Sequence, residues 1–375
     1  MTQDEVSIEA KLLLHILRQP ISGFEDSPSK HNFLQLKEVD YEKFVDLVDR
    51  NGLAGLVYLR IHKSTFLPAE TAEILRSRYR QTALSNLAQL AELLEVLDAF
   101  NAHEIDVIPL KGVVDAEKLF GDLGSYPSSD IDLLVPEEQL STICSMLNGY
   151  GYNAIEEIEE ADLLFSHYHL IYRKKAACLE LHWTLVKRYF NSPKDFWWEG
   201  VTKRTYEGRE IIELAPEKYL LYLIFRLFDH QFSPLKFWMH LSAFITQSTH
   251  LDWDKLFWYA DLFGMKRLVV FSLQFAHEQF GTPVPAQLGN TKVWGYSILR
   301  NLILEQNFSE SSKPHFAMLC FTCLSLPPKI LIRCILPRVF ASKSEIRLRY
   351  GLNSKSKTVY IYMIFNPLLM LLRRK

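Results

Sequence analysis

Two aspartates, Asp130 and Asp132, flank a single apolar residue, Ile131, and no other residues in the chain are better arranged for chemistry. On a β-strand, residues i and i+2 point to the same face, so both carboxylates would stand side by side while Ile131 packs behind them. Like charges so placed repel unless a cation lies between them. Hard oxygen ligands suit Mg²⁺, which takes one or two carboxylates together with substrate phosphates. Taken alone, the pair is equally a strand edge with two solvated acids; its surroundings add to it. Upstream, an apolar stretch ends in Leu110-Lys111-Gly112. A glycine at a strand-to-helix turn lets backbone N–H groups approach a phosphate, and the helix N-terminus beyond it favours negative charge. Lys111 adds a cation. Downstream, Leu179-Glu180-Leu181-His182-Trp183 places Glu180 and His182 on one face of another strand. A third carboxylate beside the first two would complete a two-metal site for in-line phosphoryl displacement.

Elements able to hold these residues are legible around them. Leu84, Leu87, Leu90, Leu93, Leu94 and Leu97 recur by threes and fours between Glu70 and Phe100, which predicts one long amphipathic helix. The texture changes near Asn101. Ile105–Leu110 reads as a strand, Val113–Phe120 as a short helix and Gly121–Ser129 as a loop. Asp130–Val135 reads as a strand, and Pro136-Glu137-Glu138 opens a helix. Tyr152–Ile158, Leu164–Arg173 and Cys178–Leu185 are further strands. From Ala215 on the pattern is helical, over Pro216–Phe228, Leu235–Thr246, Trp253–Phe263 and Met265–Phe280. The expected organisation is a helical region over residues 1–100, an α/β unit over 101–200 and a helical domain with a basic end over 201–375.

The remaining histidines suggest less. His167 and His169 share a strand face; Asp229-His230 and His240 sit among aromatic residues in helices. Neutral imidazoles can ligate a metal, orient an acid or position substrate, and core hydrogen bonding is the plainer role.

The 375 residues leave room for two or three cores, and 48% apolar with 23% charged residues is ordinary globular composition. Net charge is −2, but its distribution is uneven. Lys313 to Lys375 holds six Lys and six Arg against one acid, Glu345, a net +11 that leaves −13 upstream. Such separation suits an anionic partner or packing against the acidic body. The apolar run Val359–Leu372 is shorter than the ~20 residues of a spanning helix. It is expected to complete the helical domain, with Tyr360, Ile364 and Phe365 in a core; the alternative is an interfacial anchor making peripheral membrane contact. Basic residues are absent around the acidic strands, so a nucleic-acid partner is not expected. Five cysteines form no disulfide framework, and Cys320 and Cys323 are expected as buried thiols. The N-terminus shows no apolar signal segment, and a cytoplasmic location is expected.

A strand, glycine turn and helix, then alternating apolar and Asp positions on a strand, then an acid on a later strand resembles the polymerase beta-like nucleotidyltransferase superfamily. Within it, LKG, DIDLLV and LELHW are similar to the uncharacterised nucleotidyltransferase family. Asp229-His230, LDWDKL, GTPVP and the late LPRVFAS and LRYG extend that resemblance along the C-terminal part. It implies an α/β catalytic unit with a mixed sheet, the polymerase beta-like fold, inserted between N- and C-terminal helical regions. It also implies transfer of a nucleoside monophosphate from an NTP, with ATP the expected donor, to a hydroxyl-bearing small molecule or protein, using two Mg²⁺ ions. Asp130, Asp132 and Glu180 would be the catalytic metal ligands. Lys111, Gly112, Ser128, Ser129 and His182 would serve nucleotide binding. Val113 stands where relatives carry Ser after the glycine, and Tyr126-Pro127-Ser128-Ser129 where many carry an Arg before the first Asp. These departures leave a second reading, a nucleotide-binding scaffold with little or no turnover.

Overall fold

The structure is a computed structural model that describes residues 6–19, 38–63, 67–155, 168–286, 288, 291, 293–309, 314–339, 343–353 and 356–372. Its centre is a five-stranded mixed sheet in the order β1-β2-β5-β4-β3. The strands are β1 (Ile108–Pro109), β2 (Ile131–Leu134), β3 (Asn153–Ala154), β4 (His169–Lys174) and β5 (Ala177–His182). β2 and β5 run parallel, and the other neighbours are antiparallel. The odd-numbered side chains Ile131, Leu133, Leu179 and Leu181 are buried against Leu93, Val96, Leu97 and Phe100 of helix α4 (Ala69–Ala102) and Ile143 and Leu147 of α6 (Leu140–Gly149). Period-two alternation therefore turns Asp132, Glu180 and His182 to the opposite face.

That second face is covered by helices from both ends of the chain. α1 (Ile8–Leu17), α2 (Tyr41–Arg50) and α3 (Ala54–Ile61) precede α4, and α5 (Val113–Phe120) follows β1. A hairpin, β6 (Thr202–Tyr206) and β7 (Arg209–Glu213), leads into α7 (Pro216–Asp229), α8 (Lys236–Gln247), α9 (Trp253–Leu262) and α10 (Lys266–Phe280). After these come α11 (Tyr296–Phe308), α12 (Pro314–Ser325), α13 (Pro328–Val339), α14 (Lys343–Tyr350) and α15 (Val359–Leu372). Local chemistry sets the ends: Asp40 and Asp252 accept the N–H of Lys43 and Lys255 at 3.2 and 2.9 Å to cap α2 and α9. Pro216 opens α7, and left-handed Gly281 closes α10. Leu12, Ile16, Phe44 and Val57 share one apolar core with Leu220, Trp238, Leu273 and Phe321. Inside it the Asn51 amide donates to Leu47 and Asn307 carbonyls at 2.9 and 3.0 Å and accepts the Leu235 N–H at 3.1 Å.

Several expectations are corrected. The strand over Ile105–Leu110 is confined to Ile108–Pro109. The strand read to Leu185 ends at His182. The β6–β7 hairpin was not anticipated, since Thr202-Lys203-Arg204-Thr205 shows no apolar alternation. Cys320 is half-buried and Cys323 exposed, because Phe321 and Leu324 take the core side of α12. On α15, Tyr360, Ile364 and Phe365 are exposed rather than in a core; among the described side chains there, Val359 and Asn366 are buried. His167, the far end of the Tyr152–Ile158 strand and the start of Leu164–Arg173 lie outside the described residues, as do Lys313 and Arg373-Arg374-Lys375.

Candidate active site

The turn after β1 brings the cation to the acids. Leu110 N–H donates to the Asp132 carbonyl at 3.0 Å, tying the end of β1 to the carboxylate strand. Gly112 then turns the chain into α5 with φ of 78°, a conformation costly for other residues. A Cβ at this position would lie 2.8 Å from Ser128 Oγ. Ser128 Oγ in turn donates to the Asp130 carbonyl at 2.9 Å, so the glycine turn and the loop before the acids fit together. Ser129 beside it is exposed, and Val113 is buried in the first turn of α5.

Across the parallel ladder Asp132 pairs with Glu180, and Leu134 with His182. His182 donates through Nε2 to Asp132 Oδ1 at 3.1 Å and lies 3.5 Å from Glu180 Oε2. Ligand atoms of Asp132, Glu180 and His182 all fall within 4.8 Å of one another, a donor set able to hold a metal ion. Asp130 stands beside it. Lys111 Nζ, on a side chain only 9% exposed, pairs with Asp132 and lies 3.4 Å from Asp130 Oδ1. His169 stacks near His182 with ring centroids 5.2 Å apart.

The two aspartates titrate apart. Burial raises Asp130, and the neighbouring Asp132 charge adds to this. Burial opposes ionisation of Asp132 too, but Lys111 and then His182 outweigh it and hold that carboxyl well below the usual range. Burial likewise works against Glu180, yet its hydrogen bond to His182 keeps it low. For His182 burial favours the neutral ring, and the bonds to Asp132 and Glu180 overcome it and raise the imidazole. The cluster is therefore an acid pair whose charged forms Lys111 and His182 favour, beside Asp130, whose ionisation burial and Asp132 oppose.

Sequence reasoning missed the groups contributed by the helices. Arg226 of α7 lies over the Phe237 ring at 4.3 Å, has NH1 3.5 Å from Tyr126 Oη, and leaves Nε buried without a hydrogen-bond partner. Lys236 of α8 donates to the Pro127 carbonyl at 3.1 Å. Burial, then repulsion from Arg226 and Lys111, brings its ammonium down to about 8. These two supply the positive charge that the Tyr126–Ser129 loop lacks. The loop is itself held from α4: Asn86 donates to the Leu123 and Tyr126 carbonyls at 2.6 and 2.7 Å, and Gln89 to the Ser128 carbonyl at 2.7 Å. A lone Arg in the apolar run YLLYLIFRLFDH, and a lone Asn on the leucine face of α4, were the available signals. Asp229 and His240 do not join the acids. Asp229 accepts from Tyr168 at 3.1 Å and pairs with Lys187; His240 bonds the buried Asp115 at 2.7 Å.

Residues 37–281, about two thirds of the chain, match the family described as uncharacterised nucleotidyltransferase. The chain belongs to that family. Membership supports transfer of a nucleoside monophosphate, and the mixed sheet with its many helices fits the polymerase beta-like fold. Among solved structures, that of ANT(2")-Ia in complex with adenylyl-2"-tobramycin is similar at 13% identity and a TM-score of 0.27, over 58% of this chain and 98% of its own. No curated protein sequence matches the chain.

Proposed function

We propose that this nucleotidyltransferase moves a nucleoside monophosphate from ATP to a hydroxyl on a small molecule or a protein side chain. The α/β unit over residues 101–200 would carry the chemistry, and the helices of 201–375 would supply the opposite wall. The observation that carries this reading is the meeting of three carboxylates, Asp130, Asp132 and Glu180, with three cations, Lys111, Arg226 and Lys236, over the helix-covered face of the sheet.

Asp130, Asp132 and Glu180 would hold Mg²⁺, two ions being proposed, and His182 keeps two of these acids ionised and oriented. Bound there, Mg²⁺ neutralises phosphate charge and lowers the pKa of an acceptor hydroxyl. Lys111, Arg226 and Lys236 attract the triphosphate, and the Gly112 turn lets the first N–H groups of α5 face it. The acceptor oxygen bonds to the α-phosphorus, the bridging P–O bond breaks, pyrophosphate leaves, and Glu180 receives the hydroxyl proton.

The test is pyrophosphate release from ATP by the full chain with Mg²⁺ and a fractionated metabolite pool, followed by mass spectrometry of the product. Release lost in Asp132→Asn supports the reading; release unchanged in that variant refutes it. Lys111 lies between both aspartates, and Val113 offers no hydroxyl. Those features favour the second reading, a nucleotide-binding module, if Mg²⁺–ATP binds and no acceptor yields pyrophosphate.

A further inference from the structure

We infer that α15 is an interfacial helix that seats the protein on an anionic lipid surface. Tyr360, Ile361, Ile364 and Phe365 are 52%, 57%, 74% and 49% exposed. At positions i, i+1, i+4 and i+5 they share one side of the helix, within an arc of roughly 140°. The other side is fastened to the protein: Val359 and Asn366 are buried, Tyr350 Oη donates to Asn366 Oδ1 at 3.0 Å, and the Tyr350 and Tyr362 rings lie 4.5 Å apart. The outward stripe is therefore a fixed surface of large apolar side chains, unlike singly scattered ones.

Cations border it. Lys343 donates to Tyr360 Oη at 3.0 Å with its ammonium 4.6 Å from that ring, and exposed Lys357 lies two residues before the helix. From residue 313 on, the sequence carries twelve basic residues and one acid. A second copy of this surface would set like charge against like. Nucleic acid would meet Ile361 and Ile364, which neither stack on bases nor bind phosphates. Anionic headgroups satisfy the lysines while the stripe enters the acyl boundary. Fourteen residues span about 21 Å, short of the ~30 Å hydrocarbon core, so the helix lies in the interface. Among the described residues no helix is long and apolar enough to cross a membrane.

The experiment is vesicle flotation of the full chain and needs no catalytic activity. Wild type should float with phosphatidylcholine vesicles containing about 30% phosphatidylglycerol at roughly 0.05 M salt, and not with pure phosphatidylcholine. The double variant Ile361→Asp/Ile364→Asp should lose on the order of 10-fold in partitioning. Lys343→Glu/Lys357→Glu leaves the stripe intact and should lose the preference for anionic vesicles. Failure of wild type to float overturns the inference, as does a double variant that floats equally well. A wild-type dimer that becomes monomeric in Ile361→Asp/Ile364→Asp gives the face to a second copy and overturns it too.

Discussion

Asp132 faces Glu180 directly across the parallel β2–β5 ladder, so two carboxylates distant in sequence share one sheet face and one histidine. Glu180→Gln keeps the size and shape of the side chain but removes a ligand charge and the proton acceptor. It should retain Mg²⁺–ATP binding by calorimetry while turnover drops on the order of 10²-fold or more. Wild-type turnover in this variant would remove Glu180 from the reaction.

The two aspartates should differ in what they contribute to stability. Repulsion between adjacent acids would by itself make neutralising both of little cost. The structure corrects this for Asp132, whose charge compensates the buried Lys111 and His182. Asp132→Asn should destabilise by about 3 kcal/mol, because it strands a buried ammonium. Asp130→Asn, at the partly exposed acid that lies farther from Lys111, should cost about 1 kcal/mol or less. Urea denaturation of both variants measures the contrast, and equal values would contradict the assigned pairing.

Lys236 should impose a pH dependence of definite sign. Its ammonium titrates at about 8 in the fold, against an ordinary 10.5. Below pH 8 both folded and unfolded chains carry the proton, and the full cost of burying the charge is present. As pH rises from 8 toward 10.5 the folded chain sheds the proton first, the unfolded chain binds more, and stability increases. Lys236→Met should be the more stable protein at pH 7 by about 2 kcal/mol, with the gap narrowing toward pH 10. Denaturation of the pair at both pH values checks this; a gap that widens with pH refutes it.

The loop before Asp130 is held by close packing as well as hydrogen bonds. A Cβ on Gly55 would fall 1.8 Å from the Gly124 carbonyl oxygen, at ordinary backbone angles for the glycine. Gly55→Ala must therefore displace the loop, costing about 1–3 kcal/mol. Asn86→Ala leaves the buried Leu123 and Tyr126 carbonyls without their donor and should cost about 2 kcal/mol. Both substitutions lie outside the acids, yet both should lower turnover. Melting temperatures with parallel activity assays test this, and full activity in both would show that the loop does not position Asp130.

Strand periodicity made the juxtaposition of the β2 and β5 side chains legible in the sequence. Asp130, Asp132, Glu180 and His182 were placed by alternation, and Lys111-Gly112 by turn chemistry. Arg226, Lys236 and Asn86 were not, because helix packing brings them to the loop from about 40 to 110 residues away, and no local period records that. The α15 run shows the converse limit. Its composition states how apolar the helix is, but which side is covered depends on Asn366 and Tyr350, a contact between helices that hydropathy does not encode.

The core that α1 and α2 share with α7 to α12 bears on how the chain leaves the ribosome. Arg18 Nε donates to the Gln279 carbonyl at 2.7 Å, and Asn51 binds Asn307, so the N-terminal helices are completed by partners more than 250 residues downstream. At ~5–20 residues per second, those partners emerge roughly 13–50 s after the helices that need them. For that interval Leu12, Ile16 and Phe44 belong to a nascent chain that cannot yet bury them. N-terminal folding here must wait for synthesis, which makes chaperone capture of the nascent chain and slow, late compaction the expected route to the native state.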